Sequence, residues 1–122
     1  MTGSKLLDSS VWLAYLFNGA YSDVIDSEEV HLLSSLSLFE IKKKLIKSKI
    51  ESGKIRKSME FVRKRSLVIP VSEDIAEKAV DISFENGLSI IDSLIYTTSI
   101  IQGASLMTLD NDFRGLKNTI VL

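Results

Sequence analysis

Short apolar runs alternate with longer amphipathic stretches along this chain. The apolar runs are a few residues long and are bounded by turn or helix-capping residues, which is typical of buried strands. They predict strands at 5–7, 30–34, 67–69, 105–109 and 119–122. The stretches between them carry apolar residues at helical spacing and predict helices over 11–17, 22–29, 37–52, 54–65, 72–86 and 90–102.

This alternation of strands and helices predicts an α/β fold. Short apolar strands joined by helices favour a parallel sheet that is covered on both faces. Right-handed crossovers then bring the carboxyl ends of the strands to one edge of the sheet. The sequence contains no linker, repeat or low-complexity tract, so we expect residues 1–122 to form a single domain.

The composition excludes several kinds of site. There is no cysteine, which excludes disulfides, thiolate metal ligands and a cysteine nucleophile. The single histidine, His31, lies in the second predicted strand, where a structural role is favoured over catalysis. No apolar run approaches the roughly 20 residues that span a bilayer, and no signal peptide is evident. We therefore expect a cytoplasmic protein without a membrane partner.

Carboxylates occupy the junctions between the predicted strands and helices. Asp8 follows the first strand, Glu40 opens the helix after the second, Asp92 lies in the first turn of a late helix, and Asp110 and Asp112 follow the fourth strand. Because strand ends meet at one edge of a parallel sheet, the fold can bring these acids together.

Each acid also has a purely structural interpretation. Asp8 suits a helix N-cap, and the pair Asp110 and Asp112 suits a turn. Glu40 and Asp92 each follow a serine by three residues, as in a capping box. Together, however, the acids would repel one another, and a hard divalent cation relieves such repulsion. The residues alone thus indicate a metal-dependent phosphodiesterase, in which a carboxylate orients or deprotonates the attacking water.

A strongly basic segment spans residues 42–65. It contains eleven lysines and arginines against two glutamates, a net charge of +9, whereas the remainder of the chain carries −10. Such asymmetry favours an anionic partner near a cation-binding region, and we expect Lys42, Lys43 and Lys47 to contact nucleic-acid phosphates. The alternative is that these side chains are only the solvated faces of two helices.

Four stretches together resemble a PIN domain, and more narrowly the small single-domain VapC-type toxins of toxin–antitoxin pairs. The likeness runs over almost the whole chain, and the final Thr-x-Asp-x-Asp-Phe pattern is its most specific part. The stretches are Leu7-Asp8-Ser9-Ser10-Val11-Trp12, Glu40 at its helix, Ile91-Asp92-Ser93, and Thr108-Leu109-Asp110-Asn111-Asp112-Phe113.

This resemblance implies a ribonuclease that uses one or two Mg²⁺ or Mn²⁺ ions. The family's acidic quartet matches Asp8, Glu40, Asp92 and Asp110, with Asp112 as an additional acid and with Ser10 and Thr108 as supporting hydroxyls. It also implies a three-layer α/β/α sandwich with strand order 3-2-1-4-5, a homodimer, and an antitoxin that blocks the acidic cleft. The chain departs from the family in the bulkier residues 93–96 after Asp92.

Two other classes of protein that use a carboxylate after the first strand do not fit this sequence. A haloacid-dehalogenase-type phosphatase needs a second acid where this chain has Ser10, and a receiver domain needs a lysine where it has Asp110. Two alternatives stay open: a PIN-domain nuclease of RNA processing or surveillance that has no antitoxin, and a non-catalytic binding module whose acids serve only as caps.

Overall fold

The computed structural model describes residues 3–122 as a sheet of five strands with helices on both faces. The strands are β1 (Lys5–Leu7), β2 (His31–Ser34), β3 (Ser66–Ile69), β4 (Ser105–Thr108) and β5 (Thr119–Val121). The helices are α1 (Ser9–Asn18), α2 (Ser22–Ile25), α3 (Ser35–Lys47), α4 (Ser52–Lys64), α5 (Glu73–Asn86) and α6 (Ile90–Ile101). A short 3₁₀ turn (Asn111–Phe113) separates β4 from β5.

All neighbouring strands in the sheet are parallel, in the order β3-β2-β1-β4-β5. The α/β class predicted from the residues, and the strand order implied by the family resemblance, are both confirmed. Strand β1 lies at the centre, with Leu6 paired to Leu32 of β2 on one side and to Leu106 of β4 on the other. The carboxyl ends of β1, β2 and β4 therefore lie side by side at one edge of the sheet.

Consecutive apolar residues in the central strands serve two separate cores. Side chains alternate between the faces of a sheet, so a strand covered on both faces needs an unbroken apolar run. Leu7 and Leu33 pack with α1, α2, α3 and α4, whereas Leu6 and Leu32 pack on the opposite face with residues of α6. Because the central strands are buried on both faces, their positions are fixed. The segments that follow their carboxyl ends therefore also begin at fixed positions.

The start of α3 corrects one prediction. The helix begins at Ser35 rather than 37, and the hydroxyl of Ser34 caps it by accepting the N–H of Leu36 at 3.2 Å. Ser37 is buried inside the helix, and its hydroxyl has no hydrogen-bond partner in the described structure. The capping-box interpretation of Glu40 is therefore wrong, because β2 runs directly into α3 and its last residue already serves as the cap.

Two further predictions concern the segment before β2. The acidic helix predicted over 22–29 is a single turn, Ser22–Ile25. His31 is buried within the sheet, and its ring Nε2 lies 3.2 Å from the carbonyl oxygen of Val24, in keeping with a structural role. Among residues 3–122, no helix has the length and apolar character needed to cross a membrane.

Candidate active site

Asp8 lies at the carboxyl end of the central strand and is only 7 % exposed. It occupies the N-cap position of α1, but its side chain makes no capping hydrogen bond. Its Oδ2 instead accepts hydrogen bonds from Ser10 Oγ at 2.9 Å and from Thr108 Oγ1 at 2.8 Å. The helix-cap interpretation of this carboxylate is wrong, since both hydroxyls hold it in place at the edge of the sheet.

The same two hydroxyls also accept hydrogen bonds from the backbone that follows β4. The N–H of Leu109 donates to Ser10 Oγ, and the N–H of Asp110 donates to Thr108 Oγ1, both at 3.0 Å. A hydroxyl has one hydrogen to donate, and here each one is directed to Asp8. The result is a short network that joins the ends of β1 and β4 and sets the position of Asp110 relative to Asp8.

Asp92, Asp110 and Asp112 form a compact group of carboxylates. One oxygen from each lies within 4.8 Å of the other two. The N–H of Asp92 is capped by the Ser89 hydroxyl at 3.2 Å, which confirms the predicted helix start at Ser89. The N–H of Asp112 donates to Asp110 Oδ1 at 2.9 Å, so Asp110 does serve as a turn cap as well.

Glu40 lies in the second turn of α3 and reaches the same edge of the sheet from the side. Its Oε1 accepts a hydrogen bond from Ser9 Oγ at 3.1 Å. Burial raises the pKa of Glu40; the Ser9 hydrogen bond opposes that rise, and the negative charges of Asp8, Asp92 and Asp110 add to it. Glu40 thus lies outside the compact carboxylate group, but the negative charges of neighbouring acids still raise its pKa.

Asp92 has a raised pKa for related reasons. Burial contributes most, and the charges of Asp110, Asp8 and, more weakly, Asp112 raise the pKa of Asp92 further. Like charges disfavour common ionisation when they lie close together. The five predicted acids therefore share one electrostatic neighbourhood at the carboxyl edge of the sheet, although they are far apart in the sequence.

The donor set fits a hard divalent cation. Mg²⁺ and Mn²⁺ prefer carboxylate oxygens as ligands, whereas softer metal ions prefer nitrogen and sulfur. Asp92, Asp110 and Asp112 each offer one such oxygen, and these oxygens lie within 4.8 Å of one another.

Of the three lysines that were expected to contact RNA, two lie in a cleft beside the carboxylates and one does not. Lys43 and Lys47 line a cleft of about 430 Å³ that also includes Glu40 and Ser9. Lys42 lies outside this cleft. It lines a second one of about 400 Å³ between α3 and α4, and it also lines a third that it shares with Lys43 and Lys47. The basic segment 42–65 therefore faces more than one surface, and only part of it borders the carboxylates.

Two residues of this region are not predicted by the sequence pattern. Ser9 belongs to the motif at residues 7–12 and is the hydrogen-bond donor to Glu40, 31 positions away. Phe39, beside Glu40, is 67 % exposed although it is a large apolar side chain. Its position was detectable, because Phe39 falls outside the helical stripe of Ile41 and Leu45 that α3 buries. The Ser9 contact had no such local signature.

Comparison with known proteins connects this edge of the sheet to a family. The model of the PIN domain family matches residues 5–118, a span that includes all five acids. No curated protein sequence gives a significant match to the chain.

Solved structures share the fold. A chain of a toxin–antitoxin complex from Klebsiella pneumoniae superposes with a TM-score of 0.78 at 24 % identity, covering 97 % of both chains. A chain of VapBC2 from Rickettsia felis, bound to a DNA fragment from their promoter, superposes with a TM-score of 0.73 at 20 % identity, covering 97 % of this chain and 96 % of that one. VapC20 from Mycobacterium tuberculosis, a sarcin-ricin loop cleaving toxin, superposes with a TM-score of 0.75 at 20 % identity, covering 93 % of this chain and 95 % of that one.

Proposed function

The chain belongs to the PIN domain family, and we propose that it is a ribonuclease that hydrolyses phosphodiester bonds of RNA with a divalent metal ion. The observation that carries the proposal is the carboxylate group of Asp92, Asp110 and Asp112 beside a buried, doubly hydrogen-bonded Asp8. Carboxylates that serve only as caps have no need of this convergence. A non-catalytic module is therefore disfavoured.

In this proposal the acids divide the work of the site. The side chains that would hold Mg²⁺ or Mn²⁺, as one or two ions, are Asp8, Asp92, Asp110 and Asp112, and Glu40 lies outside this set. When bound, such an ion supplies an activated water and stabilises the charge of an in-line phosphoryl displacement. Ser10 and Thr108 orient Asp8, so their role is one of positioning.

Glu40 is the acid best suited to handle the proton of the attacking water. Its Oε1 is engaged by Ser9, which leaves Oε2 to accept a hydrogen bond or a proton. Its raised pKa moves it towards the operating pH, which favours general base catalysis. The water oxygen forms the new bond to phosphorus while Glu40 Oε2 takes one of the water's protons. The bond to the leaving oxygen breaks, and that oxygen departs with the bonding electron pair and takes a proton from solvent.

We further propose that the chain is the toxin of a VapBC-type pair, acts in the cytoplasm and has a cognate antitoxin. Support comes from the toxin–antitoxin proteins among its structural neighbours, which match nearly the full length of both chains. Expression of the chain should arrest growth, and co-expression of its antitoxin should restore it. Unimpaired growth during expression of active enzyme would instead favour a nuclease of RNA processing or surveillance.

A homodimer is the oligomeric state that we propose. Helices α5 and α6 expose Val80, Phe84 and Ile90, and Phe84 is 86 % exposed. Light scattering should give twice the chain mass of 13.6 kDa. Phe84→Asp should shift the protein towards the monomer, because a charge on an apolar contact face opposes association. A wild-type monomer at micromolar concentration would contradict this part of the proposal.

The nuclease proposal is tested by incubating total cellular RNA with purified protein in Mg²⁺, in Mn²⁺ or in chelator. We expect fragments with the metals and none in chelator, and sequencing of the fragment ends gives the cleavage site. Cleavage that persists in chelator would contradict the metal mechanism. Intact RNA under every metal condition, from a protein that is folded by circular dichroism, would contradict the nuclease itself.

A further inference from the structure

The cleft beside the carboxylates is built from three helices. Ser9 and Leu13 of α1 and Ile91 at the start of α6 form its walls, and one face of α3 forms the rest. The cleft has a volume of about 430 Å³, and Glu40 is one of the residues that line it. This volume lies within the range of about 300–1,000 Å³ found for ligand pockets. A polymer whose scissile bond lies at the carboxylates would therefore have its flanking part in or beside this cleft.

Phe39 is the prominent apolar group of this cleft. It precedes Glu40 directly and is 67 % exposed, while α3 buries Ile41 and Leu45 on its other side. The ring therefore does little for the core. An exposed aromatic ring offers a stacking surface for an unpaired base, and such stacking tolerates any base because every base has a π-face.

Lys43 and Lys47 follow Phe39 on the same face of α3. Phe39, Lys43 and Lys47 are spaced by four residues, so they share one face of α3 with steps of about 6 Å along its axis. Lys43 Nζ lies 5.6 Å from the centroid of the Phe39 ring. Within residues 3–122, the sole ion pair shorter than 4.0 Å joins Lys78 to Asp74. None of the three lysines that line the cleft, Lys43, Lys44 and Lys47, is thus neutralised by a carboxylate within the described residues.

We propose that this cleft holds single-stranded RNA flanking the scissile phosphate, with a base stacked on Phe39 and backbone phosphates on Lys43 and Lys47. The inference rests on the proposed ribonuclease function and names how its substrate is bound. An aromatic ring beside lysines that make no ion pair matches the two chemical features of a single strand, its base faces and its phosphates. Duplex RNA keeps its bases stacked and paired, so it should bind less well.

The test measures RNA binding in chelator, where the proposed enzyme does not cleave. The probe is a fluorescein-labelled, mixed-sequence single strand of about 12 nucleotides, within the range of known single-strand sites; the same length of duplex RNA serves as the comparison. Fluorescence anisotropy gives the dissociation constant at several salt concentrations. Thermal melting of each variant verifies that it is folded.

Phe39 is probed by three variants. Phe39→Ala should weaken binding of the single strand at least about fivefold, the lower end of measured base–aromatic stacking. Phe39→Trp should retain the affinity, and the added indole emission should be quenched by RNA because a stacked base contacts it. The control is Leu67→Ala, which removes a side chain that is 56 % exposed on the edge strand β3, and it should bind as the wild type does.

The lysines are probed by paired substitutions of equal charge. Lys43→Gln with Lys47→Gln should lower the slope of binding against salt by about 0.7 for each lost phosphate contact to a single strand. The control pair, Lys57→Gln with Lys64→Gln, lies on α4 in the same basic segment but outside the cleft. It should leave the slope closer to that of the wild type.

Equal affinity of wild type and Phe39→Ala, or equal effects of the two lysine pairs, would overturn the inference. The cleft would then be assigned to another occupant, such as a segment of a protein partner. Failure of the proposed function has a different signature. If the wild type never cleaves RNA in metal but its binding still depends on Phe39 and Lys43, the ribonuclease proposal fails and the binding cleft stands.

Discussion

Thr108 donates the hydrogen of its hydroxyl to the carboxylate of Asp8 at 2.8 Å, across 100 positions of the sequence. The same oxygen accepts the N–H of Asp110 at 3.0 Å. A single buried hydroxyl therefore fixes the separation of two acids that lie on different strand ends. Ser10 repeats this arrangement with Asp8 and the N–H of Leu109. The geometry of the acidic edge thus depends on neutral residues behind it.

Removal of the Thr108 hydroxyl should damage both stability and activity. Thr108→Val keeps the shape but leaves the partly buried N–H of Asp110 without its partner, which costs up to about 1–3 kcal/mol in the free energy of unfolding. Loss of a group that orients a metal ligand typically lowers metal affinity or activity about 10- to 100-fold. Urea unfolding and RNA cleavage rates measure the two effects.

Thr108→Ser is the matched variant, because it retains the hydroxyl and loses only a methyl group. We expect it to recover most of the cleavage rate. If Thr108→Val cleaves RNA as fast as Thr108→Ser does, the hydroxyl has no positioning role.

Replacement of Asp92 by asparagine should stabilise the protein when no metal is bound. Burial raises the pKa of Asp92 in the folded state, so its ionised form is penalised there relative to the unfolded chain. The favourable contribution of such a group is present at low pH and is lost as the pH rises from the unfolded pKa through the folded one. At neutral pH, Asp92→Asn should raise the free energy of unfolding by up to about 1 kcal/mol, a common size for a stabilising substitution.

Urea unfolding in chelator at two pH values tests this sign. The gain should be present at pH 7 and should vanish at about pH 3.5, below the ordinary aspartate pKa of about 3.9. Asp81→Asn, an exposed position on α5, is the control and should show no comparable gain. A variant that is less stable than the wild type at pH 7 would show that the charge is not penalised.

Divalent metal should raise the melting temperature of the wild-type protein. A ligand that binds only the folded state stabilises it by about 2.7 kcal/mol at a hundredfold excess over its dissociation constant. Asp110→Asn should remove most of this rise while keeping the turn, since an asparagine oxygen can also accept the N–H of Asp112. Scanning calorimetry with Mg²⁺ or Mn²⁺, against a monovalent salt of equal ionic strength, measures the shift. Equal shifts in both proteins would exclude Asp110 as a ligand.

The fold was largely predictable, because its apolar pattern has few solutions. Leu6 and Leu7 belong to one short apolar run that must be buried on both faces, and this requires helices above and below a parallel sheet. The parallel arrangement in turn brought the acids to one edge. The strand order came from the family resemblance and not from the periodicity.

The details of the caps and contacts were less predictable. Ser37 and Glu40 have the spacing of a capping box, yet Ser34 caps the helix, because the strand ends without an intervening loop. Asp8 stands at a cap position but points to two hydroxyls, one of which comes from the far end of the chain. Such contacts depend on how helices and strands pack, and local spacing carries no information about them.

The most direct test of the catalytic assignment is the initial rate of RNA cleavage by Asp8→Asn. Asparagine keeps an oxygen that can accept the hydrogen bonds of Ser10 and Thr108, so the variant should fold while it loses the charge that a metal ligand needs. We predict a rate in Mn²⁺ or Mg²⁺ at least about 100-fold below that of the wild type, with Asp81→Asn unaffected. A folded Asp8→Asn protein that cleaves RNA at the wild-type rate would contradict the account.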